Sequence, residues 1–294
     1  MGWREHEVED AINKLVRRVC TTISPDCLEL MQQAYENETE ERARGILKTM
    51  IENVSLAGKL NKPVCQSPGY PTVYVRMGKG FDLDLPRIFS QAIVSATRDG
   101  YLRPSIVHPL TRANSGDNSG QGVPNFEYEF VPDLDHFEVI LSFKGCGGAE
   151  KANAVRVFAP EQIGRDYSGL KRFVLETVVR AGGIPCGPVA LGIGIGGQTD
   201  VAAKLSRKEL SVRDWRDLHP DPLIAELEEE LLNRVNQLGI GPAGIGGRMT
   251  ALAVKIGWGA THTSITPVCV NFSCWVARRG GLRFYSDGRM ETVF

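Results

Sequence analysis

Three cysteines far apart in the chain, Cys65, Cys186 and Cys274, each lie in a segment with Gly, Pro or polar residues alongside. The segments read Pro63-Val64-Cys65-Gln66-Ser67-Pro68-Gly69, Ile184-Pro185-Cys186-Gly187-Pro188 and Asn271-Phe272-Ser273-Cys274-Trp275. A fold that uses all three must bring separate segments to one place. Three thiolates converging in this way can hold three corners of a cubane iron–sulfur cluster, with the fourth iron open to a substrate. Such a chain would act as a Lewis-acid enzyme without a redox role.

The other cysteines add no rival framework. The seven include no CxxC pair, the count is odd, and the opening Met1-Gly2-Trp3-Arg4-Glu5-His6 has no apolar export signal. Reduced thiols fit this better than disulfides, and the scatter argues against structural zinc. Cys20 and Cys27 sit in an amphipathic opening segment and read as small buried hydrophobes. A net charge of −1 gives no basic field for nucleic acid or an anionic membrane. With 42% hydrophobic and 23% charged residues and no membrane-length apolar run, the expectation is a cytoplasmic globular protein. Its 294 residues suffice for one large domain or two lobes.

Residues 8–23 place Ala11, Ile12, Leu15, Val16, Val19 and Ile23 at helical spacing. A second helical stretch follows Ser24-Pro25-Asp26 and runs, with or without a break, to Gly58. Thr72–Arg76 reads as a strand, Leu85–Thr97 as a helix and residues 104–124 as a long loop. Strands follow at 126–131, 137–143 and 189–195, and helices at 170–180, around 202–210 and at 222–238 with Gly239 just beyond. Ser286-Asp287-Gly288 is a hairpin turn. The class is therefore mixed α/β (α+β), a single region with a helical opening over about 1–60 and an α/β body over about 61–294.

Several segments carry chemistry. Lys144-Gly145-Cys146-Gly147-Gly148-Ala149-Glu150 follows a strand and exposes successive N–H groups suited to an anion, or forms a tight structural turn. Gly192-Ile193-Gly194-Ile195-Gly196-Gly197 matches a dinucleotide-binding pattern, but Gly239–Gly244 matches it too, in the wrong context. Arg103 and Arg112 lie in loops, where a guanidinium can grip a carboxylate through two parallel hydrogen bonds; for Arg112 a solvated surface role is the better reading. His262 is a lone histidine among small polar residues shortly before Cys274.

Taken together the chain resembles the α subunit of the iron–sulfur hydro-lyases, the two-subunit class I fumarases and L(+)-tartrate dehydratases. The likeness spans about residues 45–280. It rests on Asn61–Gln66, Leu102–Ser105, Lys144–Glu150, Cys186 to Lys208 with Lys204-Leu205-Ser206-Arg207-Lys208, Leu238–Val254, and His262 to Arg279. The resemblance implies a [4Fe–4S] cluster ligated by Cys65, Cys186 and Cys274, in a site between two lobes, with one iron not ligated by protein. It implies substrate contacts from Gln66, Arg103, Gly145, Gly147, Gly148 and His262, the histidine serving a neighbouring subunit. It also implies a small dicarboxylate substrate, a homodimer of α within an α2β2 assembly, and a separate β subunit, because the single-chain fumarases continue into a C-terminal domain that this chain lacks.

Two departures stand out. The family has Asp-Thr-Gly after Cys-Gln, whereas this chain has Ser67-Pro68-Gly69; a carboxylate there would serve acid–base chemistry, and a serine needs activation, so the candidate catalytic residues are His262 and Ser67. Cys146 replaces a glycine. The glycine pattern over 239–254 ranks fumarate/malate first and L-tartrate second. The alternatives are a cluster-binding scaffold without activity, motivated by Ser67, and a nucleotide-dependent enzyme built on Gly192–Gly197.

Overall fold

The computed structural model describes residues 3–294. Its helices are α1 (Glu5–Thr21), α2 (Pro25–Asn37), α3 (Glu41–Leu60), α4 (Leu85–Arg98), α5 (Pro160–Ile163), α6 (Ser168–Ala181), α7 (Thr199–Val212) and α8 (Pro222–Gln237). Its strands are β1 (Tyr70–Met77), β2 (Asn125–Phe130), β3 (His136–Lys144), β4 (Ala154–Phe158) and β5 (Val189–Gly196), then β6 (Ala251–Gly259), β7 (Thr266–Ser273), β8 (Arg278–Tyr285) and β9 (Met290–Thr292). The mixed α/β class follows directly. No helix among the described residues is long and apolar enough to cross a membrane.

The chain forms two compact units, neither of them contiguous. The first takes the residues up to Pro25, then Asn53–Gly145 and Val276–Phe294; the second takes Asp26–Glu52 and Cys146–Trp275. The three opening helices are thus shared out: α1 belongs to the first unit, α2 to the second, and the division falls inside α3.

In the first unit a five-stranded sheet runs β2-β1-β3-β8-β9, with only the β1–β2 pair parallel. The apolar stripe of α1 (Ile12, Leu15, Val16, Val19) and that of α4 (Ile88, Phe89, Ala92, Ile93) bury against Val73, Val75, Val139 and Leu141 of the sheet. Phe137 stacks on Phe284 with ring centroids 4.5 Å apart, which binds β3 to β8. Asp84 caps α4 by accepting the Arg87 N–H at 3.0 Å, and Pro86 occupies the first turn.

In the second unit the order is β4-β7-β5-β6, with β5 and β6 parallel and the other pairs antiparallel. Leu191 and Ile193 of β5 join Val270 and Phe272 of β7 in a core with Val174 and Val178 of α6 and Leu231 and Val235 of α8. The alternate residues of β5 are glycines, and α7 lies on them. A Cβ at Gly192 would stand 1.9 Å from the Ser206 carbonyl oxygen, and one at Gly194 1.9 Å from that of Ala202. The pattern that resembles a nucleotide loop is therefore a strand interior filled by helix backbone, which corrects that alternative reading.

The break between α2 and α3 has a local cause. The Glu38 carboxylate accepts the N–H groups of Thr39 and Glu40 at 2.9 and 3.0 Å, which replaces the hydrogen bonds of a continued helix. Strand β4, only five residues with a central Arg156, is absent from the sequence expectations, as are the short α5 and strands β6 and β7.

We expect Gly194→Ala to lower stability by about 2 kcal/mol or more, because backbone cannot retreat as a flexible side chain can. Gly45→Ala, in α3 with nothing within 4 Å of the added carbon, should raise it by about 0.5–1 kcal/mol. Urea denaturation of the two variants checks both signs.

Candidate functional site

Within the second unit, the antiparallel register of β5 on β7 pairs Ala190 with Ser273. The residues just before β5 and just after β7 therefore leave the sheet at the same end. There the Trp275 N–H donates to the Cys186 carbonyl at 3.3 Å, tying the Cys186 and Cys274 segments together. Cys186 itself has φ +58, an unusual conformation for a residue with a Cβ. The Gly187 carbonyl accepts the Ala243 N–H at 2.9 Å, so the 239–247 glycine segment props the cysteine loop from behind.

The glycine turn lies at this same end. Cys146–Glu150 forms a single π-helical turn, and a Cβ on Gly148 would stand 1.9 Å from the Ile184 carbonyl oxygen. Only a glycine lets the turn sit so close to the Cys186 loop. The Asn153 side chain accepts the Phe272 N–H at 2.9 Å, and Arg207 of α7 pairs with Glu150 at 3.0 Å. Cys186, Cys274, Gly147 and Gly148 are thus brought together, with Cys146 beside them.

The first unit collects a second group. The Val64 N–H donates to the Cys20 carbonyl at 3.0 Å, and Asn53 donates to the Val64 carbonyl at 2.9 Å. The buried Arg278 guanidinium donates to the Ser67 carbonyl. Between these anchors the Cys65 thiol donates to the Gln66 side-chain carbonyl at 3.3 Å. Pairing of Tyr70 with Lys144 sets Gly145 next to this loop.

The loop that carries Arg103 is fastened to the same place. Asn61 donates to the Tyr101 hydroxyl at 2.8 Å, and the Tyr70 hydroxyl to the Gly122 carbonyl at 2.8 Å. Buried Asn118 organises the loop: its side chain accepts the Ser105 N–H at 2.8 Å and donates to the Thr97 hydroxyl at 2.9 Å and the Arg103 carbonyl at 3.1 Å. Cys65, Gln66, Ser67, Arg103 and Gly145 therefore share one region, with the Arg103 side chain exposed. Among the described residues, no basic side chain bonds the Ser67 hydroxyl.

His262 is not part of either group. It lies exposed in the loop that crosses the far end of β5, where Thr261 donates to the Gly197 carbonyl at 2.9 Å. Its Nδ1 accepts the Ser264 N–H at 3.2 Å. The eight residues of β7 separate it from Cys274, which at about 3.3 Å per residue is roughly 25 Å.

The cysteines divide by exposure. Cys146 and Cys186 are exposed, Cys65 and Cys274 half-buried, and Cys20, Cys27 and Cys269 buried, none of them in a disulfide. Among the described residues, no group of three or more His, Cys, Asp or Glu side chains is assembled for a metal ion. Sequence reasoning missed Asn118, Arg278 and the Asn153 and Arg207–Glu150 contacts. Arg278-Arg279 inside the run Trp275–Leu282 was the available signal, since adjacent charges between apolar residues mark buried cations with work to do.

The family model described as fumarate hydratase (Fumerase) matches residues 9–283. This chain belongs to the fumarate hydratase family. It is therefore a hydro-lyase by family, a carbon–oxygen lyase. It is 37% identical over 288 residues to a Methanocaldococcus jannaschii protein whose name, L(+)-tartrate dehydratase subunit alpha, is provisional; the match covers 97% of this chain and 100% of that one. It is 34% identical over 298 residues to the L(+)-tartrate dehydratase subunit alpha of Escherichia coli K12 and to that of Shigella boydii serotype 4, covering 98% of this chain and 97% of each relative.

Burial pushes the Cys20 thiol up to about 12, with Arg278 opposing. At pH 8 roughly one Cys20 in ten thousand is then thiolate, so an alkylating reagent should label Cys146 and Cys186 within minutes and Cys20 only on unfolding, as read by peptide mass spectrometry. The unfolded thiol ionises near 9 while the folded one holds its proton to about 12. Stability should fall as pH rises through that window, and Cys20→Ala should flatten the fall.

Proposed function

We propose that this chain is the α subunit of a hydro-lyase that removes water from, or adds it to, a small hydroxy-dicarboxylate, and that a separate β subunit completes it. The observation that carries this is the register-fixed meeting of the Cys186 and Cys274 segments beside the Gly147–Gly148 turn. The printed names of the relatives favour L(+)-tartrate as substrate, with fumarate/malate second. The glycine pattern that suggested the reverse order is accounted for as backbone packing behind Cys186.

The donor chemistry suits an iron–sulfur cluster: Cys65, Cys186 and Cys274 are thiols on hydrogen-bonded turns, outside any disulfide and short of full burial. We assign these three as its ligands; when bound, a [4Fe–4S] cluster with one iron free of protein ligands would supply Lewis-acid polarisation of the substrate hydroxyl. The remaining work falls to the chain itself. Arg103 presents a two-pronged donor for one substrate carboxylate, on a loop held still by Asn118. The N–H groups of Gly145, Gly147 and Gly148 offer an anion cradle. Gln66 orients a substrate oxygen through its amide.

With no basic side chain on the Ser67 hydroxyl among the described residues, we assign proton transfer to another group. His262 can hold and release a proton, and at roughly 25 Å from its own Cys274 it would serve the site of a second copy. Binding of a cluster without turnover is the scaffold alternative that Ser67 keeps open.

Anaerobic purification followed by iron and sulfide analysis tests the assignment. Cys65→Ser, Cys186→Ser and Cys274→Ser should each lose most of the bound iron, while Cys20→Ser should keep it. With a β-type partner added, the chain should dehydrate L(+)-tartrate faster than it hydrates fumarate. Iron retained with no turnover of tartrate, fumarate or malate would select the scaffold reading. Arg103→Ala should raise KM for the diacid by about 30-fold, the loss of a charge-assisted pair.

A further inference from the structure

The buried charges of this chain are mostly answered by partners. Glu138 pairs with Arg283 at 2.5 Å, Glu228 with Arg213 at 2.6 Å and Lys255 with Asp217 at 2.9 Å. Arg279 donates to the Ser24 hydroxyl at 3.3 Å and lies over the Phe294 ring at 4.8 Å. Arg278 is the exception. It is 3% exposed, a guanidinium cannot shed its proton, and among the described residues no carboxylate pairs with it. Its Nε–H has no hydrogen-bond partner there, and its one bond runs to the Ser67 carbonyl, two residues past Cys65. Burial pushes the Cys20 thiol beside it up to about 12, so that group stays neutral and does not balance the charge. A buried cation left in this way is costly unless an anion from outside the chain answers it.

Anchoring the loop does not explain the charge. The Cys65 segment is already pinned by neutral groups: the Val64 N–H on the Cys20 carbonyl and the Asn53 amide on the Val64 carbonyl. Gly69 adds a close approach of main chain, since a Cβ there would stand 2.5 Å from the Lys144 carbonyl oxygen. A neutral amide would hold the Ser67 carbonyl as well. What only a cation adds is attraction for negative charge, and the loop it holds carries Cys65.

We propose that Arg278 is the counter-charge of the iron–sulfur cluster, a positioning residue that touches no substrate and acts from the Ser67 end of the Cys65 loop. The inference rests on the assignment of Cys65, Cys186 and Cys274 as ligands. Three thiolates outweigh the charge of an oxidised [4Fe–4S] core, so the ligated cluster is an anion. The guanidinium then has two opposite effects. In the iron-free chain it is an uncompensated buried charge and lowers stability. In the loaded chain it is answered, slows iron loss and raises the reduction potential, since a positive charge nearby favours the added electron.

The test compares two variants of the full chain, purified anaerobically. Arg278→Gln keeps a donor for the Ser67 carbonyl without the charge, and Arg278→Lys keeps the charge. Iron release to a ferrous chelator should be about tenfold faster in Arg278→Gln and within about threefold of wild type in Arg278→Lys. The cluster's reduction potential should fall in Arg278→Gln and hold in Arg278→Lys. Once iron is stripped, Arg278→Gln should resist urea at least as well as the wild-type chain. If iron-free Arg278→Gln is instead less stable, or Arg278→Lys releases iron as fast as Arg278→Gln, the residue is a loop anchor and the inference is overturned. Unchanged iron release and potential in Arg278→Gln overturn it too, and leave the ligand assignment standing. A wild-type chain that binds no iron, or that keeps it after Cys65→Ser, overturns the ligand assignment itself and this inference with it.

Discussion

The register of β5 against β7 is the constraint on which the second unit's chemistry depends. Side chains alternate along a strand, so a slip of one residue would turn Leu191 and Ile193 out of the core and press the glycines into it. The register is therefore fixed by burial, and the same choice sets where Cys186 and Cys274 leave the sheet. The Trp275–Cys186 hydrogen bond follows from it. So does the exile of His262 to the other end. One packing decision, made by apolar side chains far from any ligand, determines which polar groups can act together.

The bare backbone of β5 serves that decision from the other face. With glycine at 192 and 194, α7 approaches until its carbonyls touch the strand, which places Arg207 within reach of Glu150 and steadies the glycine turn. A pattern that looks like a ligand-binding signature is thus a packing device with an indirect effect on the site. The 239–247 segment works in the same way. Its glycines let Ala243 reach Gly187, and the cysteine loop gains its support from main chain alone.

Much of this was legible in the residues. Apolar spacing, with Gly239 as the stop of α8, placed α4 and α8 to within a residue or two, and the structure adds the caps Asp84 and Asp221, whose contacts are local in sequence. The Cys65, Cys186 and Cys274 segments stood out by their glycines, prolines and polar neighbours, and the structure shows two of them bonded to each other. What stayed hidden was long-range. Nothing adjacent to Asn118 says that it will be buried under Arg103, and β4 is too short for its alternation to rise above that of a loop. The allocation of α1, α2 and α3 to different units was equally invisible, since each helix has the same kind of apolar stripe and only tertiary packing decides which core it enters.

The interleaving of the two units has a consequence for how the molecule is made. The first core needs Leu282 and Phe284 of β8 to cover α1, yet those residues emerge from the ribosome only after the whole 146–275 segment. During synthesis α1 and α4 must wait with their apolar faces exposed, while the second unit has nearly all of its sequence and can fold first. Assembly is therefore ordered in time, and the Cys65 loop, anchored by Arg278 of β8, is among the last parts to be set.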